Sequence, residues 1–407
     1  MKRFKYLVQR RTERAREGGP YIGLENIESG TGRRIETVAA SEGENLAFRP
    51  GDVLFGKLRP YLAKAFLADF EGVCTSEFLV LRPSNDITSG FLFYYALSPN
   101  FIDVVTSFSS GAKMPRAEWD VIGNLEVDLP PASRQPAIVD FLDRETARID
   151  DLIAKKLLIA ELLREKHTAL VSNLVRGGLI ANAPTRETGI PWIGRVPVSW
   201  SLVKLKWVLR TQSGGTPLTD DDSNYGGEVP WLRTLDLNNG EILEPAVRIS
   251  RKALSEIAGT VLPAGSVLVA MYGGEGTIGK HGLLRFRSAV NQAICAILPG
   301  SIVTPEFLHS YMEFYRPYWM VEAQGTRRDP NISQQTVREC PLLIPPIEDQ
   351  RAIARVLNDH GRANQRSVDL IAGAITLLRE YRAALISAAV TGQLDIRRHE
   401  KKLEALA

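Results

Sequence analysis

Cysteine is scarce in this chain: three residues in 407, Cys74, Cys295 and Cys340, with no CxxC spacing among them. That excludes a disulfide framework and the usual zinc-site patterns. Cys74 and Cys295 fall in Val- and Leu-rich runs where buried free thiols are common, so a reducing, cytoplasmic setting is expected. The five histidines are scattered, and no Ser/His/Asp or Cys/His arrangement stands out. No window of about 18 apolar residues exists, which removes a membrane-spanning helix, and the start Met1-Lys2-Arg3-Phe4-Lys5 lacks the apolar core of a signal peptide. A net charge of +3 is too small to prove a polyanionic partner. Basic residues are nevertheless concentrated locally, with Lys2, Arg3, Lys5, Arg10, Arg11, Arg14 and Arg16 among the first twenty positions, and Lys/Arg-bearing loops in both halves point to nucleic acid.

What the chain has in abundance is itself, written twice. Pro130-Pro131 followed by Gln135 reappears as Pro345-Pro346 followed by Gln350, and the 215-residue offset (Pro130 to Pro345) persists without a gap. Leu162 falls on Leu377, Leu170 on Leu385, Ser172 on Ser387, Val175 on Val390 and Gly177 on Gly392. Each copy opens with a Pro-Pro pair and closes at a glycine, with room for one long helix between.

A heptad-like apolar seam runs along both helices: Ile149, Ile153, Ala160, Leu163, His167, Leu170 and Leu174 in the first, Val368, Ile371, Ile375, Leu378, Arg382, Leu385 and Ala389 in the second. Lys156 also falls on the first seam. His167 and Arg382 hold the same seam position in the two copies, where a polar residue can fix register. The helices are therefore expected to pair with each other, in a direction the seam leaves open.

The globular parts repeat as well. Phe48 to Lys64 answers to Leu262 to Tyr272, with Gly51 and Gly265 each placed to turn the chain into a strand, and Val73 to Pro83 answers to Ala289 to Pro299. Short helices are expected around residues 91–96 and 305–313, each followed by a glycine-led loop at Gly111 and Gly325. Residues 178 to 200, with Pro184, Pro191 and Pro197, read as a linker. The expected fold class is α/β: a tandem duplication of a mixed α/β unit plus a long helix, divided at 1–129, 130–182, 183–344, 345–397 and a charged tail 398–407.

With both halves laid out, the sequence resembles the DNA-specificity subunit of type I restriction–modification systems over essentially its full length. The residues that carry this are Pro130-Pro131…Gln135 and Pro345-Pro346…Gln350, the run from Gly51 to Leu62, Ser213 to Pro217, Val229 to Leu232, Thr277 to Lys280, Asn291-Gln292, and Gly325-Thr326…Asn331 to Ser333. Their order, repeated twice, is the specific part. The resemblance implies two target-recognition domains, 1–129 and 183–344, each reading one half of a bipartite asymmetric site in double-stranded DNA. It implies an antiparallel coiled coil of spacer helices that sets the gap between half-sites, two methyltransferase subunits docked on those helices, and two restriction subunits beyond them. S-adenosylmethionine, ATP and Mg are then expected on the partners and no cofactor on this chain, which lacks both a cofactor fingerprint and an Asn-Pro-Pro-aromatic run and is expected to be non-enzymatic.

Side chains that can neutralise phosphates or read base edges mark the candidate DNA contacts. They are Lys57, Arg59, Tyr61, Lys64, Lys113 and Arg116 in the first half, and Thr216, Arg233, Tyr272, Lys280, Arg327, Arg328 and Asn331 in the second. Two rival readings compete. Gly274 to Lys280 fits GxGxxG and most of GxxxxGK, which would suit a nucleotide-dependent enzyme, but His281 stands where a P-loop needs Ser/Thr and the residues after it read as a strand. The other is a protein-interaction scaffold without sequence-selective DNA binding.

Overall fold

A computed structural model describes residues 1–14, 19–37, 44–111, 113–180, 183–257, 259–273, 276–323 and 331–396. The chain divides into two compact units, Met1–Leu158 with Leu370–Ala407, and Ile159–Asp369. The two long helices, a central one at Gln135–Gly177 and a distal one at Ile347–Val390, are therefore each shared between units. At 1.5 Å per residue each is about 65 Å long. Asp150 meets Arg382, and His167 meets His360, so advancing along one helix retreats along the other: the pair is antiparallel.

In the first unit, Val8–Arg11, Phe78–Pro83, Val53–Gly56 and Ala65–Leu67 form an antiparallel sheet in that order. A smaller sheet orders Tyr21–Ile22, Gly72–Thr75 and Asn45–Phe48, the first pairing being parallel. The second unit repeats this plan. Thr211–Ser213, Ile294–Ile297, Val267–Ala270 and His281–Leu284 follow the same order, extended by Glu241–Ile242. Trp231–Leu232 pairs in parallel with Ala289–Val290, as Tyr21–Ile22 does with Val73–Cys74. Gly51 (φ 86°) and Gly265 (φ 88°) occupy equivalent left-handed turns before the central strands, a conformation that would strain a residue carrying Cβ.

Aromatic packing holds each unit together. Phe4, Phe55, Phe91 and Phe141 are buried in the first, in one cluster with Ile149, Leu385, Ile386 and Ala389 from the helix pair. In the second, Tyr311, Tyr315 and Trp319 pack with Val171, Val175, Ile353 and Leu357. Each such side chain contributes about 1.5–3 kcal/mol of burial. The helix pair is thus part of both cores. All fourteen seam residues are buried or half-buried, and Lys156 is half-buried, whereas Leu158, Ile159, Leu162, Leu370 and Leu377 on the same helices are exposed.

Each Pro-Pro…Gln motif has one physical role, performed twice. Gln135 is fully buried; its Oε1 accepts from the Thr88 amide at 2.8 Å and its Nε2 donates to the carbonyls of Asp86 at 2.9 Å and Pro130 at 3.1 Å. Gln350 does the same with the Thr304 amide (2.8 Å) and the carbonyls of Ile302 (3.0 Å) and Pro345 (2.9 Å). Thr88 caps the helix Ser89–Leu97, and Thr304 holds the corresponding place before Pro305–Ala323. One carboxamide therefore fixes the start of the long helix to the start of the short one.

The structure corrects two readings. Residues 178–200 are more than a linker: Thr185–Glu187 and Arg195–Pro197 form a hairpin, and Ile193, Val196 and Trp200 are buried in the second core. Four of the five histidines, scattered in sequence, meet in the fold, and the fifth, His399, lies outside the described residues. His167 Nε2 lies 3.0 Å from Glu313 Oε1 and its Nδ1 3.3 Å from His360 Nδ1, while the rings of His281 and His309 stand 4.9 Å apart. Among the described residues no group of His, Cys, Asp and Glu could hold a metal ion.

This cluster gives the second unit a pH signature. Burial, reinforced by His309, pushes His281 down to about 3, and burial likewise lowers His309. His281 stays neutral in the fold where the unfolded chain would take up a proton, so stability is lost as pH falls below about 6.5, at about 1.4 kcal/mol per pH unit, and His309 adds to the loss in the same direction. His167 is raised by its hydrogen bond to Glu313 and therefore titrates above that window; Glu313, which burial pushes up, is held below its ordinary value by His167 and the nearby histidines and titrates beneath it. The urea midpoint of the second unit should drop between pH 6.5 and 5.0, and His281→Phe should flatten the drop. A midpoint indifferent to pH over this range would refute it.

Candidate nucleic-acid interface

In the first unit the strand Val53–Gly56 delivers the chain to a loop whose backbone is fastened on two sides. The Lys57 amide donates to Glu77 O at 2.9 Å, the Ala117 amide to Lys57 O at 2.9 Å and the Arg59 amide to Pro115 O at 2.7 Å. Lys57, Arg59, Tyr61, Lys113 and Arg116 are thereby brought onto two adjoining loops. Arg59 (φ 50°) and Ala63 (φ 47°) flank the Pro60–Leu62 turn in the left-handed region, where side chains other than glycine are strained. Tyr61, Lys113 and Met114 are exposed; Lys57 and Arg59 are half-buried, and Arg59 Nε is buried without a partner among the described residues. Lys64 turns away, giving its Nζ to Leu24 O at 2.7 Å, and so serves packing. Arg116 makes a two-pronged pair with Glu77: Nε to Oε2 at 3.2 Å and Nη2 to Oε1 at 3.0 Å.

The second unit builds the same joint. The Met271 amide donates to Ala293 O at 2.8 Å and the Ile332 amide to Met271 O at 2.9 Å, which places Met271, Ala293 and Ile332 where Lys57, Glu77 and Ala117 stand. Tyr272, Lys280 and Asn331 gather at this joint; Tyr272 and Asn331 are exposed and Lys280 is half-buried. A second group lies beside it. Thr216 donates to Gln292 Oε1, the Asn291 amide donates to Leu232 O at 2.9 Å, and Asn291 Oδ1 is buried without a partner among the described residues. The amide of Arg233 donates to Asp236 Oδ2 at 2.8 Å, as that of Gly23 does to Asn26 Oδ1 at 2.7 Å in the first unit. Arg327, Arg328, Gly274 and Gly325 lie outside the described residues. Glu77 and Gln292 escaped the choice of candidate contacts, because their partners are 39 and 76 residues away.

Gly276 to Lys280 connects the antiparallel strands Val267–Ala270 and His281–Leu284. A strand follows Lys280, so no helix N-terminus backs the described residues of this loop, where a P-loop needs one.

Each unit is thus a copy of one α/β scaffold with part of an antiparallel helix pair and with loops bearing basic or carboxamide side chains. The type I restriction modification DNA specificity domain matches residues 6–161 and 197–370. The chain belongs to that family.

Relatives are distant. The MjaIX specificity subunit of Methanocaldococcus jannaschii is 27% identical over 41% of this chain and 39% of its own length. The EcoKI specificity subunit of Escherichia coli is 24% identical over 68% of this chain and 59% of its own, so the match spans well under the full length of either relative. The MjaVIII specificity subunit of M. jannaschii is 22% identical over 83% of this chain and 78% of its own. Among solved structures, a chain from work on complex assembly and conformational transition of the type I R-M system superposes with a TM-score of 0.77 at 19% identity, covering 96% of this chain and 97% of that one. The HsdS subunit from Thermoanaerobacter tengcongensis gives 0.52 at 19% identity, with 96% of each chain covered. These likenesses establish the fold. No described helix is long and apolar enough to cross a membrane.

Proposed function

We propose that the chain is the non-catalytic, DNA-reading subunit of a type I restriction–modification complex acting in the cytoplasm. Each globular half reads one half of a bipartite site, and the helix pair sets the distance between them. One observation carries this reading: the same backbone joint is built in both units but furnished with different side chains. Equal scaffolds with unequal readers suit an asymmetric target in two parts. The exposed Leu158, Ile159, Leu162, Leu370 and Leu377 offer apolar helix surface to two methyltransferase subunits, which supply S-adenosylmethionine chemistry; two restriction subunits would add ATP- and Mg-dependent cleavage.

The test is a genome-wide map of N6-methyladenine in cells with and without this chain, its companion methyltransferase present in both. One split motif with a fixed spacer should vanish when the chain is removed. A motif set that does not change would reject the proposal in favour of a scaffold role.

A further inference from the structure

The two joints have matching backbones, and their side chains differ in an informative way. The residue before each anchoring amide is Arg116 in the first unit and Asn331 in the second; both are exposed, and the anchors that follow, Ala117 and Ile332, are 2% and 4% exposed. A buried anchor beneath an exposed side chain fixes where that side chain starts.

Glu77 occupies the side-on edge of the Arg116 guanidinium, Nε and Nη2. A guanidinium has two bidentate edges, and this contact uses one of them, leaving the coplanar end-on donors of Nη1 and Nη2 on a side chain that is 45% exposed. Two parallel donors match the O6 and N7 acceptors of guanine in the major groove. Because Glu77 has already restricted the long side chain, less conformational entropy remains to be lost on binding. In the second unit the position of Glu77 is Ala293, which offers no side-chain acceptor, and the reader is a carboxamide that needs none. An Asn side chain carries one acceptor and one donor edge, the complement of adenine N6 and N7.

We infer that this joint determines specificity in both halves, with Arg116, held by Glu77, reading a guanine in one half-site and Asn331 reading an adenine in the other. The inference rests on the DNA-reading function proposed above and adds the base class and the positioning residue.

The experiment maps N6-methyladenine in cells that carry the companion methyltransferase subunits and either the parent chain or a variant. Arg116→Ala should make one G·C position of one half-motif degenerate, the preference falling roughly 5- to 150-fold, with the other half-motif untouched. Arg116→Lys, which keeps the charge and loses the fork, should relax that same position. Glu77→Gln should relax it too, an effect that a purely structural role for Glu77 would not produce. Asn331→Ala should relax one A·T position of the opposite half-motif. Should Arg116→Ala abolish methylation altogether, the Arg116→Lys and Glu77→Gln maps decide: a relaxed G·C position supports the inference, an unrelaxed motif overturns it. Variants that methylate the parental motif with unchanged base preference also overturn it while leaving the specificity function standing. A parent chain that directs no split motif overturns both together.

Discussion

Gln350→Leu should destabilise the second unit by about 3–5 kcal/mol. The side chain is fully buried and satisfies three backbone groups: the Thr304 amide and the carbonyls of Ile302 and Pro345. Leucine has a similar volume, so no large cavity is created. What is lost is the pairing, and each buried polar group left unpaired costs about 1–3 kcal/mol. Gln350→Glu should recover little, since a carboxylate can accept from Thr304 but would face two carbonyl oxygens without a proton to give. Urea unfolding followed by amide exchange in residues 197–370 reads the loss directly, and a cost below about 1 kcal/mol would mean that water replaces the carboxamide. Gln135→Leu should act equivalently on the first unit.

The motif behind this prediction was visible in the sequence as a repeat, whereas its purpose was not. Gln350 lies 46 residues from Thr304 and 48 from Ile302, beyond any local pattern. The same distinction runs through the molecule. Apolar periodicity located both long helices and their seam, because 3.6-residue spacing is a local property. It could not say that His167 and Arg382 reach past the seam, His167 to Glu313 and Arg382 to the carbonyl of Gly30. Proline and glycine in residues 178–200 signalled a linker, yet Ile193, Val196 and Trp200 make that segment core. At the candidate interface, residue chemistry selected Arg116 and Asn331 individually. Their equivalence appeared only when the amides of Ala117 and Ile332 were seen bonded to Lys57 and Met271. Conversely, Lys64 has the right chemistry and the wrong direction, because its ammonium is held by Leu24 O. Strand order and loop contact depend on pairings between distant residues, and a single sequence does not print those pairings.

Arg382→Met should cost the first unit about 3–5 kcal/mol, even though methionine suits a helix seam. Arg382 is 6% exposed and paired with Asp150, Nε to Oδ1 at 3.0 Å and Nη2 to Oδ2 at 3.3 Å, while its Nη1 donates to Gly30 O at 2.8 Å. Removing the cation leaves the Asp150 carboxylate and the Gly30 carbonyl without it, in a place where neither is freely hydrated. The double replacement Arg382→Met with Asp150→Leu should return most of the loss, because an apolar pair of similar volume escapes the desolvation that the ion pair must offset. The pair lines a cavity of about 600 Å³ together with Glu28, Arg33 and Asp103, so water has a route to one side of it. That route sets the alternative outcome: if the single replacement costs under about 1 kcal/mol and the double gains nothing over it, the pair behaves as a surface ion pair. A measured recovery would instead show that the ion pair contributes geometry more than stability, tying the Gly30 turn of the first globular part to the helix pair.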